Sequence, residues 1–238
     1  MAPALDAAYD SIAGWYDEWL GDGAMLGNDP FAIPLLELVG SVDGQAICDM
    51  GCGQGRIARH LAHAGARIVA IDASVELLAI AARYPTSDRI DYRHDDAHTL
   101  STCQDAVFDG VICNMALMDI PDLSAAIDSA FRVLRPGGWF GFSTFHPCFN
   151  APLSAELIDE SGRSHRTVTG YFAEGHWKSD QRSGPPGKVG AYHRTLATYL
   201  NTLIDAGFTL HRLREVPSTT ACWREVPPVL AAVMTKPT

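Results

Sequence analysis

Apolar residues in the middle of the chain gather in short runs that are separated by helical patterns. The runs predict five strands: Ala46–Met50, Arg67–Ile71, Ile90–Tyr92, Phe108–Asn114 and Gly138–Phe145. Several runs are continuous rather than alternating, which is typical of strands covered by helices on both faces. Because strands and helices alternate along one chain, the pattern predicts an α/β fold with a doubly wound, mostly parallel sheet.

Two stretches carry the clearest helical period. From Leu123 to Leu134, apolar residues recur at spacings of three and four, and Pro136-Gly137-Gly138 ends the helix. A second helix is predicted over Thr195–Ala206. The strands Thr209–Val216 and Val229–Thr235 follow with no helix between them, so they are predicted to pair antiparallel at the edge of the sheet.

The pattern divides the chain into four segments. Residues 1–40 are predicted to form a helical cap with an aromatic cluster, and residues 41–145 the main part of the sheet. Residues 146–194 are rich in Gly and Pro and lack a helical period, which in a compact domain is typical of a lid or binding insertion. Residues 195–238 are predicted to complete the sheet.

Composition and charge narrow the range of possible functions. The 238 residues are 47% apolar and carry a formal net charge of −10, which suits a globular protein and disfavours binding to nucleic-acid phosphates. No apolar run reaches the roughly 20 residues of a membrane span. No basic start leads into an apolar stretch, so a cytoplasmic protein is expected. Six cysteines without a C-x-x-C pair predict reduced thiols and no metal site.

A glycine-rich turn links the first strand to a helix predicted over Ile57–Ala64. The turn reads Asp49-Met50-Gly51-Cys52-Gly53-Gln54-Gly55, with its glycines at two-residue spacing. Glycines let a ligand approach the backbone, and the helix N-terminus offers free N–H groups. Dinucleotide enzymes instead place their third glycine three residues after the second. Asp72 ends the second strand, where a carboxylate can accept hydrogen bonds from both ribose hydroxyls.

This turn, together with the acidic residue before it and the acidic end of strand two, resembles the class I S-adenosylmethionine-dependent methyltransferases of the small-molecule type. Further motifs of the resemblance are Asp95-Asp96-Ala97, Phe108-Asp109-Gly110-Val111-Ile112 and Leu134-Arg135-Pro136-Gly137-Gly138, so that it covers residues 43–145. Tyr192-His193-Arg194-Thr195 is similar to members that act on small molecules. The resemblance implies a seven-stranded Rossmann-like sheet with an antiparallel edge strand, a lid insertion and S-adenosylmethionine as cofactor.

The resemblance also implies a role for each matching residue. Asp49 and the backbone of the turn should hold the methionine end of the cofactor, Asp72 the ribose, and Asp96 the adenine amino group. Tyr16 is expected to close over the cofactor, with Tyr9 as the second choice. The complete set of expected cofactor contacts is Tyr16, Asp49, Gly51, Cys52, Gly53, Asp72, Ala73, Asp96, Ala97, Asn114, Met115 and Met118.

Two histidines are candidates for catalysis on the methyl acceptor. His146 follows strand five, where Pro147 restricts it to extended conformations, and His193 lies at the far end of the insertion. An imidazole titrates near neutral pH, so either could take a proton from a phenol or an ammonium group. Structural roles stay open, including orientation of the lid by His193 and Arg194. The expected substrate contacts are Tyr9, Phe145, Tyr171, Trp177, Tyr192 and Arg194.

The charge of the insertion gives one indication of the substrate. Residues 161–194 contain Arg163, Arg166, Lys178, Arg182, Lys188 and Arg194 against Glu174 and Asp180, a net charge of +4 within an acidic chain. A basic insertion that also carries aromatic residues suits an anionic, partly aromatic substrate. A solvated lid with no such preference is the alternative.

We therefore expect an enzyme that transfers a methyl group from S-adenosylmethionine to an oxygen, nitrogen or carbon atom of a small molecule, in secondary metabolism. The expected partner is that small molecule, not nucleic acid or a membrane, and the expected state is a monomer or a homodimer. The alternative is a protein of the same fold that binds the cofactor without methylating, as a pericyclic catalyst or a regulator.

Two further classes fit the sequence less well. Enzymes that methylate amino groups of nucleic acids carry an Asn/Asp-Pro-Pro-aromatic motif after strand four, where this chain has Asn114-Met115-Ala116-Leu117. A metal-assisted catechol-type enzyme needs a carboxylate cluster, for which Asp119 and Asp122 are the candidates. Both classes are therefore disfavoured.

Overall fold

The computed structural model describes residues 7–21, 26, 29–85, 87–179 and 184–238. Helices α1 to α7 span Ala13–Leu20, Ile33–Val39, Arg56–His63, Val75–Ala81, Leu123–Val133, Pro185–Lys188 and Leu196–Asp205. Strands β1 to β11 span Ala46–Met50, Arg67–Asp72, Ile90–His94, Phe108–Asn114, Leu134–Phe145, Ala155–Ile158, Ser164–Thr167, Gly175–Trp177, Ala191–His193, Thr209–Val216 and Val229–Thr235. Short 3-10 turns cover Ala8–Ile12, Leu117–Asp119 and Ala221–Trp223.

A seven-stranded sheet forms the centre of the described structure, with strand order β10-β11-β5-β4-β1-β2-β3. The five strands from β1 to β5 pair in parallel, whereas β11 is antiparallel to both β5 and β10. The predicted fold class is therefore confirmed, including the antiparallel strands at one edge. None of the described helices combines the length and the apolar character that crossing a membrane requires.

The predicted strand boundaries differ most at the start of β5, whereas β2 and β3 merely extend to Asp72 and His94. Helix α5 ends at Val133, and β5 already begins at Leu134, whose backbone is extended. The pairing of β5 with β4 shifts register between Phe108 and Gly110, and regular pairing resumes at Trp139. The Pro-Gly-Gly sequence thus forms an irregular stretch within the strand, and the prediction identified only the regular part that follows.

Helices cover both faces of the sheet, which explains its continuous apolar strands. On one face, Ile127 of α5 packs in a buried cluster with Phe140 and Phe142 of β5. On the other face, Leu35 of α2 and Leu61 of α3 belong to a second cluster with residues of the sheet. Helix α2, which lies in the N-terminal segment, therefore contributes to the core.

The insertion contains two small antiparallel sheets, β6 with β7 and β8 with β9. The sequence pattern identified no strands there, because these strands are only three or four residues long and so show no clear apolar alternation. Two residues of the insertion's charge count, Asp180 and Arg182, lie outside the described residues. Trp177 of β8 and the strand β9 line a cavity beside Thr144 and Phe145 at the carboxyl end of β5.

The close packing of Gly110 against Trp139 gives a prediction for stability. A Cβ atom at Gly110 would lie 2.2 Å from two ring atoms of Trp139, whose indole N–H donates a hydrogen bond to Gln45 at 3.0 Å. Gly110→Ala should therefore lower the free energy of unfolding by about 1–3 kcal/mol, as overpacking of a core does. Urea unfolding followed by circular dichroism measures this change.

Gly14 provides the matched control, because a Cβ atom there would meet no other atom within 4 Å. Gly14 lies inside helix α1, so Gly14→Ala should raise stability by roughly 0.5–1 kcal/mol. Equal urea midpoints for Gly110→Ala and the unchanged chain would contradict the packing described for β4 and β5.

Candidate active site

The predicted cofactor residues lie at one edge of the sheet or in the N-terminal segment. Asp49 belongs to β1, Asp72 ends β2 and Asn114 ends β4, and these strands run parallel. In open α/β sheets, ligands bind outside the carboxyl ends of the strands. The fold therefore gathers the residues into one region.

The three glycines of the turn after β1 have left-handed backbones, with φ of 73°, 53° and 81° at Gly51, Gly53 and Gly55. A Cβ atom at Gly51 would lie 2.6 Å from the Cβ of Ala116, and one at Gly55 would lie 2.3 Å from the hydroxyl of Tyr92. Gly53 has no atom within 4 Å of that position. Two glycines thus permit close packing, and the third leaves the backbone open to a ligand.

Asp72 fastens this turn to the end of β2. Its Oδ2 accepts the Gly53 N–H at 2.7 Å, and its Oδ1 accepts the Ser74 N–H at 2.8 Å. Burial raises the pKa of Asp72, and these two N–H donors oppose the rise. Each carboxylate oxygen keeps a second lone pair, so Asp72 can still accept hydrogen bonds from a diol.

Asp49 is the clearest sign that the turn is built for a ligand with positive charge. Only 1% of the residue is exposed, and its Oδ2 has no hydrogen-bond partner. Burial, followed by the charge of Asp72, raises the pKa of Asp49 to about 7. A buried carboxylate oxygen without a partner is costly. The ammonium group of a methionine moiety would supply one, so these residues fit the cofactor that the resemblance implies.

Cys52 contributes packing and backbone rather than its thiol. The side chain is buried, and burial raises the pKa of the thiol well above its ordinary value. The Cys52 N–H donates to the Ile71 carbonyl at 2.9 Å, beside a similar bond from Gly51 at 2.8 Å. These bonds join the turn to β2.

On the predicted adenine side, Asp95 and Asp96 have different tasks. Asp95 is buried and accepts hydrogen bonds from Ser101, Thr102 and the Asp96 N–H. Asp96 remains partly exposed and lies 2.6 Å from Nδ1 of His98. Asp95 therefore organises the loop, whereas Asp96 is the carboxylate that reaches its surface.

Ala73 and Ala97 are the two alanines predicted to contact adenine. The main-chain carbonyl of each forms a hydrogen bond that fixes its position. The Ala73 carbonyl lies 3.0 Å from Nε2 of His94, and the Ala97 carbonyl accepts the Ser129 hydroxyl at 2.5 Å. Both alanine side chains remain partly accessible. The loops after β2 and β3 are thereby fixed next to each other.

The loop after β4 has a strained start at Met115, whose φ is 53° although it is not glycine. Its N–H donates to Ser143, to the carbonyl at 3.0 Å and to the hydroxyl at 3.1 Å. The Ser143 hydroxyl in turn donates to Asn114 Oδ1 at 2.8 Å. Such backbone strain often marks functional loops, and Met118 on this loop is buried.

Two of the first described residues, Tyr9 and Asp10, contact this region. Tyr9 donates its hydroxyl to Asp119 Oδ2 at 3.1 Å and packs edge-on against Tyr16 at 5.2 Å. Asp10 accepts the Ser74 hydroxyl at 2.5 Å. Burial raises the pKa of both tyrosines, and the charges of Asp119 and Asp72 add to the rise. Tyr9 and Tyr16 therefore lie close to the carboxylates of the site.

Asp119 was considered in the sequence only as half of a weak metal site. In the structure it accepts a hydrogen bond from Tyr9, whereas Asp122 caps helix α5 by accepting the Ala125 N–H at 3.0 Å. Burial raises the pKa of Asp119 to about 7. The available sequence signal was a carboxylate placed between the apolar residues Met118 and Ile120, in the loop that follows β4.

A small cavity of about 20 Å³ lies between the carboxyl end of β5, the loop after β4 and the insertion. This space suffices for about one water molecule. The predicted residues Met118, Phe145, Trp177, Tyr192, His193 and Arg194 line it together with Thr144, Pro147, Asn150, Ala191 and Tyr199.

Two predicted substrate contacts are absent from this lining. Tyr9 lies with Asp119 and Tyr16, as described above. Tyr171 instead supports its neighbours: its carbonyl lies 2.8 Å from Nε2 of His193, and its hydroxyl accepts the Leu196 N–H at 3.0 Å. Tyr171 therefore holds the wall of the cavity from behind.

His146 does not line the cavity, in contrast to the prediction. Its Nε2 lies 3.0 Å from Oε1 of Glu215, and its Nδ1 accepts the Cys148 N–H at 3.3 Å. The residue is 2% exposed, and burial lowers the pKa of the imidazole. Both ring nitrogens are occupied, so His146 joins the start of the insertion to β10 and is not placed to take a proton from an acceptor.

His193 is better placed than His146 to take a proton from a methyl acceptor. It lines the cavity, and its Nε2 is bonded to the Tyr171 carbonyl. A carbonyl can only accept, so Nε2 carries the proton and Nδ1 of the neutral ring keeps its lone pair. The hydrogen bond to Tyr171 therefore fixes the orientation of the His193 ring beside the cavity.

Arg194 positions the loop after β4. Its guanidinium donates to the carbonyls of Leu117 at 3.0 Å, Ile120 at 2.5 Å and Pro121 at 2.8 Å. The residue is 7% exposed, and its guanidinium lies over the ring of Tyr192. These donors are used within the protein, which favours the structural role that the sequence left open.

Comparison with known proteins agrees with this arrangement. Residues 48–142 match the family model described as a methyltransferase domain. The chain is 30% identical over 148 residues to a ubiquinone biosynthesis O-methyltransferase from Hydrogenovibrio crunogenus, covering 61% of each protein. It is also 30% identical over 163 residues to an enzyme of the same name from Xylella fastidiosa, covering 68% of this chain and 65% of that one.

The chain thus spans less than two thirds of the length of these curated relatives. A solved structure extends the similarity over more of the fold. The S-adenosylmethionine-dependent methyltransferase from Mesorhizobium loti superimposes with a TM-score of 0.78 at 28% identity, covering 87% of this chain and 98% of that one. Residues 48–142 therefore form a methyltransferase domain, and the motifs, the sheet and these similarities together indicate a class I S-adenosylmethionine-dependent methyltransferase.

Proposed function

We propose that the protein transfers the methyl group of S-adenosylmethionine to a small molecule bound under the insertion. The observation that carries the proposal is the unpartnered, buried Oδ2 of Asp49 beside the glycine turn that Asp72 fastens. A cofactor with an ammonium group and a ribose diol satisfies both carboxylates. Met118 connects this region to the cavity that His193 lines, so the cofactor and acceptor sites adjoin.

The protein's part in the reaction is placement, exclusion of water and removal of a proton. When bound, the cofactor supplies a methyl group already activated on a sulfonium. The insertion, including Tyr192, would cover the acceptor and orient its nucleophilic atom toward the methyl group. Nδ1 of His193 would take the proton from the acceptor's nucleophilic atom when that atom is methylated.

Three features support an aromatic acceptor that reacts through oxygen. The cavity is lined by aromatic side chains, including Phe145, Trp177 and Tyr192. Its histidine suits deprotonation of a phenol. The curated relatives are named O-methyltransferases of ubiquinone biosynthesis. A phenol under a basic insertion also agrees with the anionic character expected from the sequence.

The proposal also covers the location, oligomeric state, metabolic role and partners of the enzyme. It works in the cytoplasm as a monomer or a homodimer, in secondary metabolism and without nucleic acid as a partner, which the net charge of −10 supports. Binding of the cofactor without methylation, as in a pericyclic catalyst or a regulator, has no support in the relatives described above.

Binding of the cofactor is the first test. The protein should bind S-adenosylmethionine and S-adenosylhomocysteine but not NAD, because its glycine spacing departs from that of dinucleotide enzymes. Asp72→Ala should weaken binding by roughly 1–3 kcal/mol, the cost of losing a charged hydrogen-bond partner. Isothermal titration calorimetry measures both effects. Asp91→Ala is the control, because Asp91 is exposed and pairs with Arg93. NAD binding of similar strength would contradict the proposal.

The proton-transfer step is tested by a pair of histidine variants. His193→Gln should lower turnover by about 10²–10⁴-fold, with cofactor affinity nearly unchanged, because the proton acceptor is lost. The rate of S-adenosylhomocysteine formation with a phenolic acceptor measures turnover. His211→Gln, at an exposed position of β10, should behave like the unchanged chain. Full activity of His193→Gln would remove this residue from the mechanism.

A further inference from the structure

Three carboxylates surround the end of β4 without an ion-pair partner in the described part of the chain. Asp49 and Asp72 come from β1 and β2, and Asp119 comes from the loop after β4. Burial raises the pKa of the Cys113 thiol in β4, and the charges of all three carboxylates add to the rise. Among the nearby arginines, Arg56 pairs with Asp29 at 3.0 Å and Arg194 binds carbonyls. Arg59 donates to the Gln54 carbonyl at 2.6 Å, and its charge lowers the pKa of Asp49 but is not among the influences on Asp119.

Asp119 differs from the other two carboxylates in its position and in how it is held. Asp49 and Asp72 belong to the glycine turn and the ribose side. Asp119 lies on the loop that carries Met118 into the acceptor cavity, and Arg194 clamps this loop through the Leu117 carbonyl at 3.0 Å. Asp119 is therefore the carboxylate nearest, along the chain, to the acceptor side of the site.

The surroundings of Asp119 provide little compensation for its charge. Within the described residues, the Asp119 carboxylate accepts a single hydrogen bond, from the Tyr9 hydroxyl. Titratable or charged groups face it from every side: Tyr9 and Tyr16 from the N-terminal segment, Asp72 from β2, Cys113 from β4, Arg194 from the end of the insertion and Tyr199 from α7. An additional positive charge in this region would therefore be favoured.

We infer that Asp119 makes the site prefer the sulfonium form of the cofactor to the product that remains after methyl transfer. This inference rests on the proposed function. Both ligands carry the ammonium group that suits Asp49, so that interaction cancels between them. Only S-adenosylmethionine carries the sulfonium charge, so the attraction to Asp119 disappears when the methyl group leaves. The same carboxylate thus favours binding of the donor and release of the product.

The preference depends on pH in a defined direction. Burial, and the neighbouring charge of Asp72, raise the pKa of Asp119 to about 7, whereas the Tyr9 hydrogen bond opposes the rise. A positive ligand beside the carboxylate lowers its pKa again, so binding expels a proton. The preference for S-adenosylmethionine over S-adenosylhomocysteine should therefore be small near pH 6 and increase toward pH 8.

Calorimetric titration in buffers of different ionisation enthalpy tests this inference. At pH 7, S-adenosylmethionine should release about half a proton more than S-adenosylhomocysteine on binding. Asp119→Asn should abolish the difference and lower the ratio of the two affinities by about tenfold, the equivalent of one pKa unit. Asp128→Asn is the control, because it removes the same charge from an exposed position of α5.

A second variant separates this electrostatic role from a structural one. Tyr9→Phe keeps the ring but removes the hydrogen bond to Asp119, so the pKa of the carboxylate should rise. The pH at which the preference appears should rise with it, whereas a structural defect would weaken both ligands equally. Equal proton release by the two ligands, or an unchanged affinity ratio in Asp119→Asn, would overturn the role of Asp119. Failure of both ligands to bind would overturn the proposed function as well.

Discussion

The site depends on the two hydrogen bonds that the Asp72 carboxylate accepts, one from Gly53 and one from Ser74. They join the turn after β1 to the start of α4, and Ser74 continues the connection by donating to Asp10 of the N-terminal segment. Parallel strands bring these pieces to one edge, but the carboxylate fixes their separation. A single, half-buried carboxylate thereby sets the geometry of the glycine turn and its connection to Asp10 through Ser74.

Much of the fold followed from local patterns, because continuous apolar runs and helical periods report burial by near neighbours. The bounds of β1, β4, β10 and β11 agree with those predicted. The glycine turn was also recognisable, since its chemistry is contained in consecutive residues. The sequence did not reveal hydrogen bonds between residues that are far apart in the chain. Tyr9 and Asp119 are separated by 110 positions, and His146 and Glu215 by 69.

The position of His146 differs from the expected one for a physical reason. The residue after a strand end was expected to face the ligand, and Pro147 does restrict its backbone. The direction of the side chain, however, is set by Glu215 on β10, a strand separated from β5 by β11. The insertion strands were missed for a related reason, because their pairing stabilises short segments that have no apolar face of their own.

The two halves of the site solve the problem of buried charge differently. On the acceptor side, Arg194 is satisfied by three carbonyls and serves as a rigid support. At the glycine turn, by contrast, Asp49 has no hydrogen-bond partner at Oδ2, and burial raises the pKa of its carboxyl to about 7. The most direct measurement is methyl transfer from isotope-labelled S-adenosylmethionine to the small-molecule fraction of a cell extract, with mass identification of the product. A labelled phenolic ether is the predicted result. Saturable cofactor binding with no label in any small molecule would contradict the account.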